Sequence, residues 1–270
     1  IEHGYGYPVE SIEGSTVTMQ IALPRGDLDV NMEMWRSNIL NWVNEEVADR
    51  KIVSLGQIFE TSTQGFYVPT YVIEGDAERG IEAMAPDLKT VADLAKYPHL
   101  FPDREDSSQA QFINCILGWR CQQLNRIKLN TYGLTTDVGG DYRVIEPGAA
   151  AGMDAAIASA YKNGEPVVAY YWEPTWLLGA YKMTLLEEPE FTDECWAKVQ
   201  LALDDFADDS VAECACAYES FDVHKYVSSN LLQRAPTLVA FLSNMFLGTQ
   251  RINDLAAYMD LGDKTAEETA

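Results

Sequence analysis

The sequence predicts an α/β fold with mainly parallel sheets flanked by helices, on three observations. Runs of β-branched and aromatic residues alternate with stretches of helical periodicity, the β-α-β rhythm of parallel crossovers. Glycine and proline fall at the boundaries between them. The 270 residues, 47% of them hydrophobic, can bury a sizeable core and suit one large domain or two lobes of ordinary size.

In chain order, Val9 to Ile12 and Asp29 to Met34 read as strands. A helical stretch lies between them from Thr16 to Leu23, stopped by Pro24 and the turn Arg25-Gly26-Asp27. A helix is expected from about Ser37 to Arg50, then a strand at Lys51-Ile52-Val53. The run Gly65 to Ile73 reads as a strand despite Pro69. Glu74 to Pro86 is a loop, and Lys89 to Lys96 has helical spacing that ends before Pro98. Phe112 to Leu117 is a strand-like apolar run, Gln122 to Thr131 helical, Tyr142 to Ile145 a strand. Met153 to Lys162 is a helix closed by Asn163-Gly164, Pro166 to Trp172 a further strand, and the chain from Asp193 on mostly helical.

Charge narrows the function. With 42 acidic against 19 basic residues the formal charge is -23, which repels nucleic-acid phosphates and anionic membranes and excludes nucleic acid as a partner. The acidity serves either solubility or the attraction of cationic solutes. The run Asp204 to Asp209 reads as a solvated face. No apolar run approaches the roughly 18 residues of a membrane span. The start, Ile1-Glu2-His3-Gly4, lacks a charged n-region and an initiator Met, and reads as trimmed of a strand, a helix and any signal segment. Of the five cysteines, Cys115, Cys121, Cys195, Cys214 and Cys216, the first two are close enough in sequence for a loop to join them in an oxidising compartment; the alternative is five thiols in a reducing one. No zinc-ligand spacing is present.

The chain has no phosphate-binding Gly-Lys-Ser loop, no Gly-x-Ser-x-Gly elbow, no His-Glu-x-x-His and no dinucleotide glycine pattern. His3, His99 and His224 stand in loop-like or terminal contexts, so an enzyme here would have to work with carboxylates alone. Tryptophan is the informative residue. Trp35 ends a strand, Trp119 follows a glycine between strand and helix, and Trp172 and Trp176 bracket Glu173-Pro174-Thr175 at another strand end; Trp42 and Trp196 read as packing residues. Open α/β sheets collect ligands outside the carboxyl ends of their strands. Indole faces suit a quaternary ammonium group, whose diffuse charge and methyl groups make no strong hydrogen bonds, at about 0.5–2 kcal/mol per ring. Sugar stacking would need flanking hydrogen bonders that are sparse at these positions.

Gly26-Asp27-Leu28-Asp29-Val30-Asn31-Met32-Glu33-Met34-Trp35, Gly118-Trp119-Arg120-Cys121 and, above all, Tyr170-Tyr171-Trp172-Glu173-Pro174-Thr175-Trp176 resemble, in order, segments of the glycine betaine, choline and carnitine substrate-binding proteins of ABC importers. The resemblance implies a two-lobed clamshell with residues 1–62 in lobe 1, 63–185 in lobe 2 and 186–270 returning to lobe 1. It implies an aromatic cage of Trp35, Trp119 and Trp172 with Trp176 as a fourth wall, and a Cys115–Cys121 pair. It also implies permease and ATPase partners, a periplasmic or lipid-anchored location, and no cofactor or metal.

Departures from the family pattern bear on the ligand. Histidines that hold a betaine carboxylate in some relatives are replaced by Ile39 and by Pro174 or Thr175. This favours a ligand without a carboxylate, trimethylamine N-oxide ahead of choline. Glu33, two residues before Trp35 on the same strand face, is a candidate counter-charge, as are Glu74 and Glu82. Arg120, where close relatives have glycine, either narrows the pocket or faces solvent. The readings from other classes are a carboxylate-based enzyme acting on a methylated amine and a sensory module with the same cleft.

Overall fold

The computed structural model describes residues 1–12, 16–59, 62–221, 223–262 and 265. In chain order the elements are α1 (Glu2–Tyr5), α2 (Thr16–Arg25), β1 (Val30–Trp35), α3 (Leu40–Ala48), β2 (Ile52–Gln57), β3 (Gln64–Pro69), α4 (Thr70–Glu74), β4 (Ala110–Ile113), α5 (Arg120–Thr131), β5 (Tyr142–Ile145), α6 (Ala150–Asn163), β6 (Ala169–Trp172), α7 (Trp176–Ala180), β7 (Met183–Leu185), α8 (Asp193–Asp204), β8 (Val223–Ser228), α9 (Leu231–Arg234), α10 (Pro236–Asn244) and α11 (Thr249–Gly262). They fall into two compact units, Ile1–Ser62 with Ser220–Ile252, and Thr63–Glu219 with Asn253–Ala270.

The first unit is built on a three-stranded sheet of order β1-β8-β2. Both pairings are antiparallel, so this sheet corrects the expectation of parallel strands. Its central strand, β8, lies in the stretch read as helical. Successive residues of β8 serve opposite faces: Tyr226 packs with Leu23, Met34, Val43 and Ile52, while Val227 packs with Leu55, Leu231, Leu238 and Leu242. Lys225, 1% exposed, lies on the same face as Val227 and donates to the carbonyls of Ser243 and Met245 at the end of α10, where a cation meets unpaired helix carbonyls. The run Val9 to Ile12 is not a strand: it has no ladder partner among the described residues, and Val9 and Ile12 are exposed.

The second unit carries a five-stranded sheet of order β5-β4-β6-β3-β7. β5, β4 and β6 run parallel, as helical crossovers require. β3 runs antiparallel to both its neighbours, β6 and β7, giving a mixed sheet. The strand read through Ile73 stops at Pro69, which has no N–H for a further ladder bond. Thr70–Glu74 turns helical instead, burying Tyr71 and Val72. Residues 186–219, expected in lobe 1, pack on this unit. Glu188 pairs with Lys128 at 2.8 Å, Asn130 donates to the carbonyls of Asp208 and Ser210, and Tyr218 donates to Asn125. Those contacts also show the acidic run folded against α5.

Candidate functional site

Because β4 and β6 are parallel neighbours, their carboxyl ends open at one sheet edge. β6 ends in Trp172. Beyond β4 the chain turns through Gly118, whose φ of 88° demands glycine, to Trp119 at the start of α5. The two indoles meet with centroids 5.7 Å apart and planes at 52°, forming an open wedge. Trp172 is half-buried and stacks on Tyr171 at 4.9 Å, whereas Trp119 is 48% exposed.

The loop bearing Trp119 is pinned at both ends. A Cys115–Cys121 disulfide brackets it. The buried Asn114 donates to the Gln122 carbonyl at 2.9 Å and accepts from the Cys115 amide at 2.7 Å and the Asn125 side chain at 2.9 Å. Arg120 is exposed and bonds the side chain of Gln200 on α8.

Trp176 begins α7. The bond Glu173–Pro174 before it is cis, and Thr175 caps the helix by accepting from the Leu178 amide. The Thr175 amide donates to Asn253 Oδ1 at 2.7 Å, and Gly179 lies so close to the Asn253 carbonyl that a Cβ would collide with it. Glu173 accepts from Thr63 Oγ1 at 2.9 Å and from Asn253 Nδ2 at 3.4 Å. Asp154 of α6 receives two donors from this segment, Tyr171 OH at 2.7 Å and Trp176 Nε1 at 3.3 Å. Burial first, and the Asp154 carboxylate second, hold the Tyr171 phenol protonated well above its ordinary range, so it remains the donor. The sequence reading missed Asp154, Asn253 and Thr63.

In the first unit, Trp35 ends β1 opposite Val223 and meets Phe221 edge-on, centroids 6.1 Å apart. Its indole N–H donates to Glu33 Oε1 at 3.1 Å across one side of the strand. Ile39 packs into the apolar cluster of α2 and α3. Glu82 is exposed and is not brought beside the tryptophans of its unit. It follows α4, which leaves the Pro69 end of β3, while Trp172 pairs with Gln64 at the other end. Glu74, also exposed, closes α4 at that same end. Trp42 and Trp196 pack against apolar clusters. His224 lies within β8 rather than a loop, 3.4 Å from Ser54 Oγ.

Beneath the aromatic edge, Lys128 is fully buried against Glu188, with its ammonium 4.1 Å from the Tyr218 ring centre and 5.0 Å from that of Phe66. Burial pushes Lys128 down and Glu188 up, and each is opposed by the other's charge. A second disulfide joins Cys195 and Cys214, and Cys216 is a buried free thiol. Among the described residues no group of three or more His, Cys, Asp or Glu side chains could hold a metal, and no helix is long and apolar enough to cross a membrane. The arrangement offers aromatic faces with carboxylates bonded at their edges, suited to binding a weakly solvated cation.

Residues 1–270 match the family OpuAC, the substrate binding domain of ABC-type glycine betaine transport systems. The chain belongs to this family. Its members are binding domains and not enzymes, which answers the carboxylate-enzyme reading. The glycine betaine/proline betaine-binding periplasmic protein of Escherichia coli K12 is 26% identical to this OpuAC domain over 164 residues, 60% of the chain and 44% of the relative, so the matched region spans less than half of that protein. Lactococcal OpuAC in its closed form with glycine betaine superposes with TM-score 0.58 at 17% identity, covering 99% of this chain and 83% of that one. An ABC-transporter choline binding protein in complex with choline gives 0.54 at 18% identity, covering 99% and 78%. These likenesses establish the α/β binding-protein fold.

Proposed function

We propose that the chain is an extracytoplasmic solute-binding component of an ABC importer and captures a trimethylammonium compound on its indole faces. The Trp119–Trp172 wedge carries the reading: two indoles held at the carboxyl edge of a sheet, one of them open to solvent. Trp176 adds a further face in the same unit, and Trp35 with Glu33 offers one of the same kind in the other. The family supplies the context of permease and ATPase partners, and the periplasmic relative the location.

Trimethylamine N-oxide is the preferred ligand. Ile39 is packed among apolar side chains, Pro174 has no donor, and Thr175, which accepts the Leu178 amide as a helix cap, offers only a neutral hydroxyl in place of a histidine. A betaine carboxylate there would forgo about 1.5–3 kcal/mol of charge-assisted hydrogen bonding. Choline lacks that carboxylate too and is the second reading. Titration of trimethylamine N-oxide, choline and glycine betaine against tryptophan fluorescence tests this. At least one is expected to bind in the micromolar range, with the N-oxide strongest; no response to any of the three overturns the reading.

A further inference from the structure

We propose that Asp154 and Glu33 act as counter-charges delivered through indole rings, and that each sets the preference of the indole face it backs for a cation over a neutral group of the same shape. The inference rests on the proposed trimethylammonium ligand.

Two tryptophans, one in each unit, share an arrangement. Trp176 Nε1 donates to Asp154 Oδ2 at 3.3 Å, and Trp35 Nε1 donates to Glu33 Oε1 at 3.1 Å. Neither carboxylate has an ion-pair partner among the described residues; Asp154 also accepts from the neutral Tyr171 hydroxyl, and the Glu33 amide donates to Asn31. Both negative charges are therefore left for something other than a protein cation.

An indole N–H drawn toward a carboxylate shifts electron density onto the ring, which deepens the negative potential over its face, and the full charge behind the ring adds a Coulomb attraction. A cation on that face is stabilised by both effects. A neutral tert-butyl group, with equal apolar area, gains from neither. The bonds also fix each indole. Asp154 is half-buried and grips Trp176 and Tyr171 together, while Glu33 is exposed, so its contribution is smaller and more screened by salt. Both residues are positioning residues, acting through the rings they hold.

The test measures the affinity of wild type, Asp154→Asn and Glu33→Gln for the best ligand of the three-compound panel and for its carbon isostere: tert-butanol for the N-oxide, 3,3-dimethylbutan-1-ol for choline, 3,3-dimethylbutanoate for glycine betaine. Each amide keeps an acceptor for the indole N–H and loses the charge. Asp154→Asn should weaken the cationic ligand by roughly threefold to tenfold and Glu33→Gln by about twofold to threefold, with the isostere unchanged. Equal losses for ligand and isostere would mean the carboxylates only pack the rings, and no loss for either would mean they contribute nothing; both overturn the inference while leaving the proposed function standing. Should the isostere bind too weakly to titrate, the salt dependence of ligand affinity replaces it, and a slope unchanged in Asp154→Asn overturns the inference. A wild type that binds none of the three compounds removes the proposed function and this inference with it.

Discussion

In the unit formed by residues 63–219 with the chain beyond Ile252, the tryptophans stand on a five-stranded sheet. They are framed by the Cys115–Cys121 disulfide, the Asn114 bonds, and a carboxylate holding the third indole. In the other unit, Trp35 ends an edge strand of a three-stranded sheet and leans on Phe221, its indole bonded to an exposed glutamate. All five cysteines belong to the first-mentioned unit. One unit thus has an aromatic surface whose ordering cost is met during folding by a disulfide and buried side-chain bonds, and the other has a single indole with fewer supports.

The largest effect expected on that contrast is Glu188→Gln. It leaves the Lys128 ammonium buried without its carboxylate, at a cost of about 3–5 kcal/mol. Hydrogen exchange should show β4 and β6 losing protection while β8 keeps its own. A Lys128→Met, Glu188→Leu pair of similar volume should recover most of the loss, and uniform loss across both sheets would contradict an effect confined to the sheet beside the pair. Next comes the aromatic surface itself. Trp172→Ala should weaken ligand binding by about 1–3 kcal/mol with Trp119→Ala close behind, and Trp35→Ala should cost less than either. Calorimetry ranks the three, and an equal or larger cost at Trp35 would reverse that contrast. The smallest effect is replacing Cys115 and Cys121 together by serine. Closing so short a loop stabilises by about 2 kcal/mol, so denaturant unfolding should shift modestly while affinity falls as the Trp119 loop loosens.

Trp35 and Trp172 were legible because each ends a strand, and Trp119 and Trp176 because each opens the helix that follows one; such ends can be read from β-branched runs broken by glycine or proline. Tyr142 to Ile145 and the helix closed by Asn163-Gly164 were readable for the same local reasons. What failed was non-local. In β8 the lysine at 225 stands among Val223, Tyr226 and Val227 and breaks the apolar pattern, and only the carbonyls at the end of α10 make its burial tolerable. Thr70 to Ile73 has β-branched composition, yet burial of Tyr71 and Val72 carries it into a helix. Asp154 and Asn253 have no local signature; each matters because of the partner it meets 17 or more residues away in sequence. The parallel sheets expected from the β-α-β rhythm hold only where a helix actually returns the chain, between β4, β5 and β6.

Asn253 gives the order of the chain a practical meaning. The residue that seats Gly179, receives the Thr175 amide and reaches Glu173 belongs to α11, more than seventy positions after the turn it supports. A fragment ending at Glu219 would contain every strand of the five-stranded sheet and still lack the side chain that shapes its tryptophan corner. The boundary that looks natural along the sequence would cut through a joint in space, and the late helix is as much a part of that corner as the strand from which it springs.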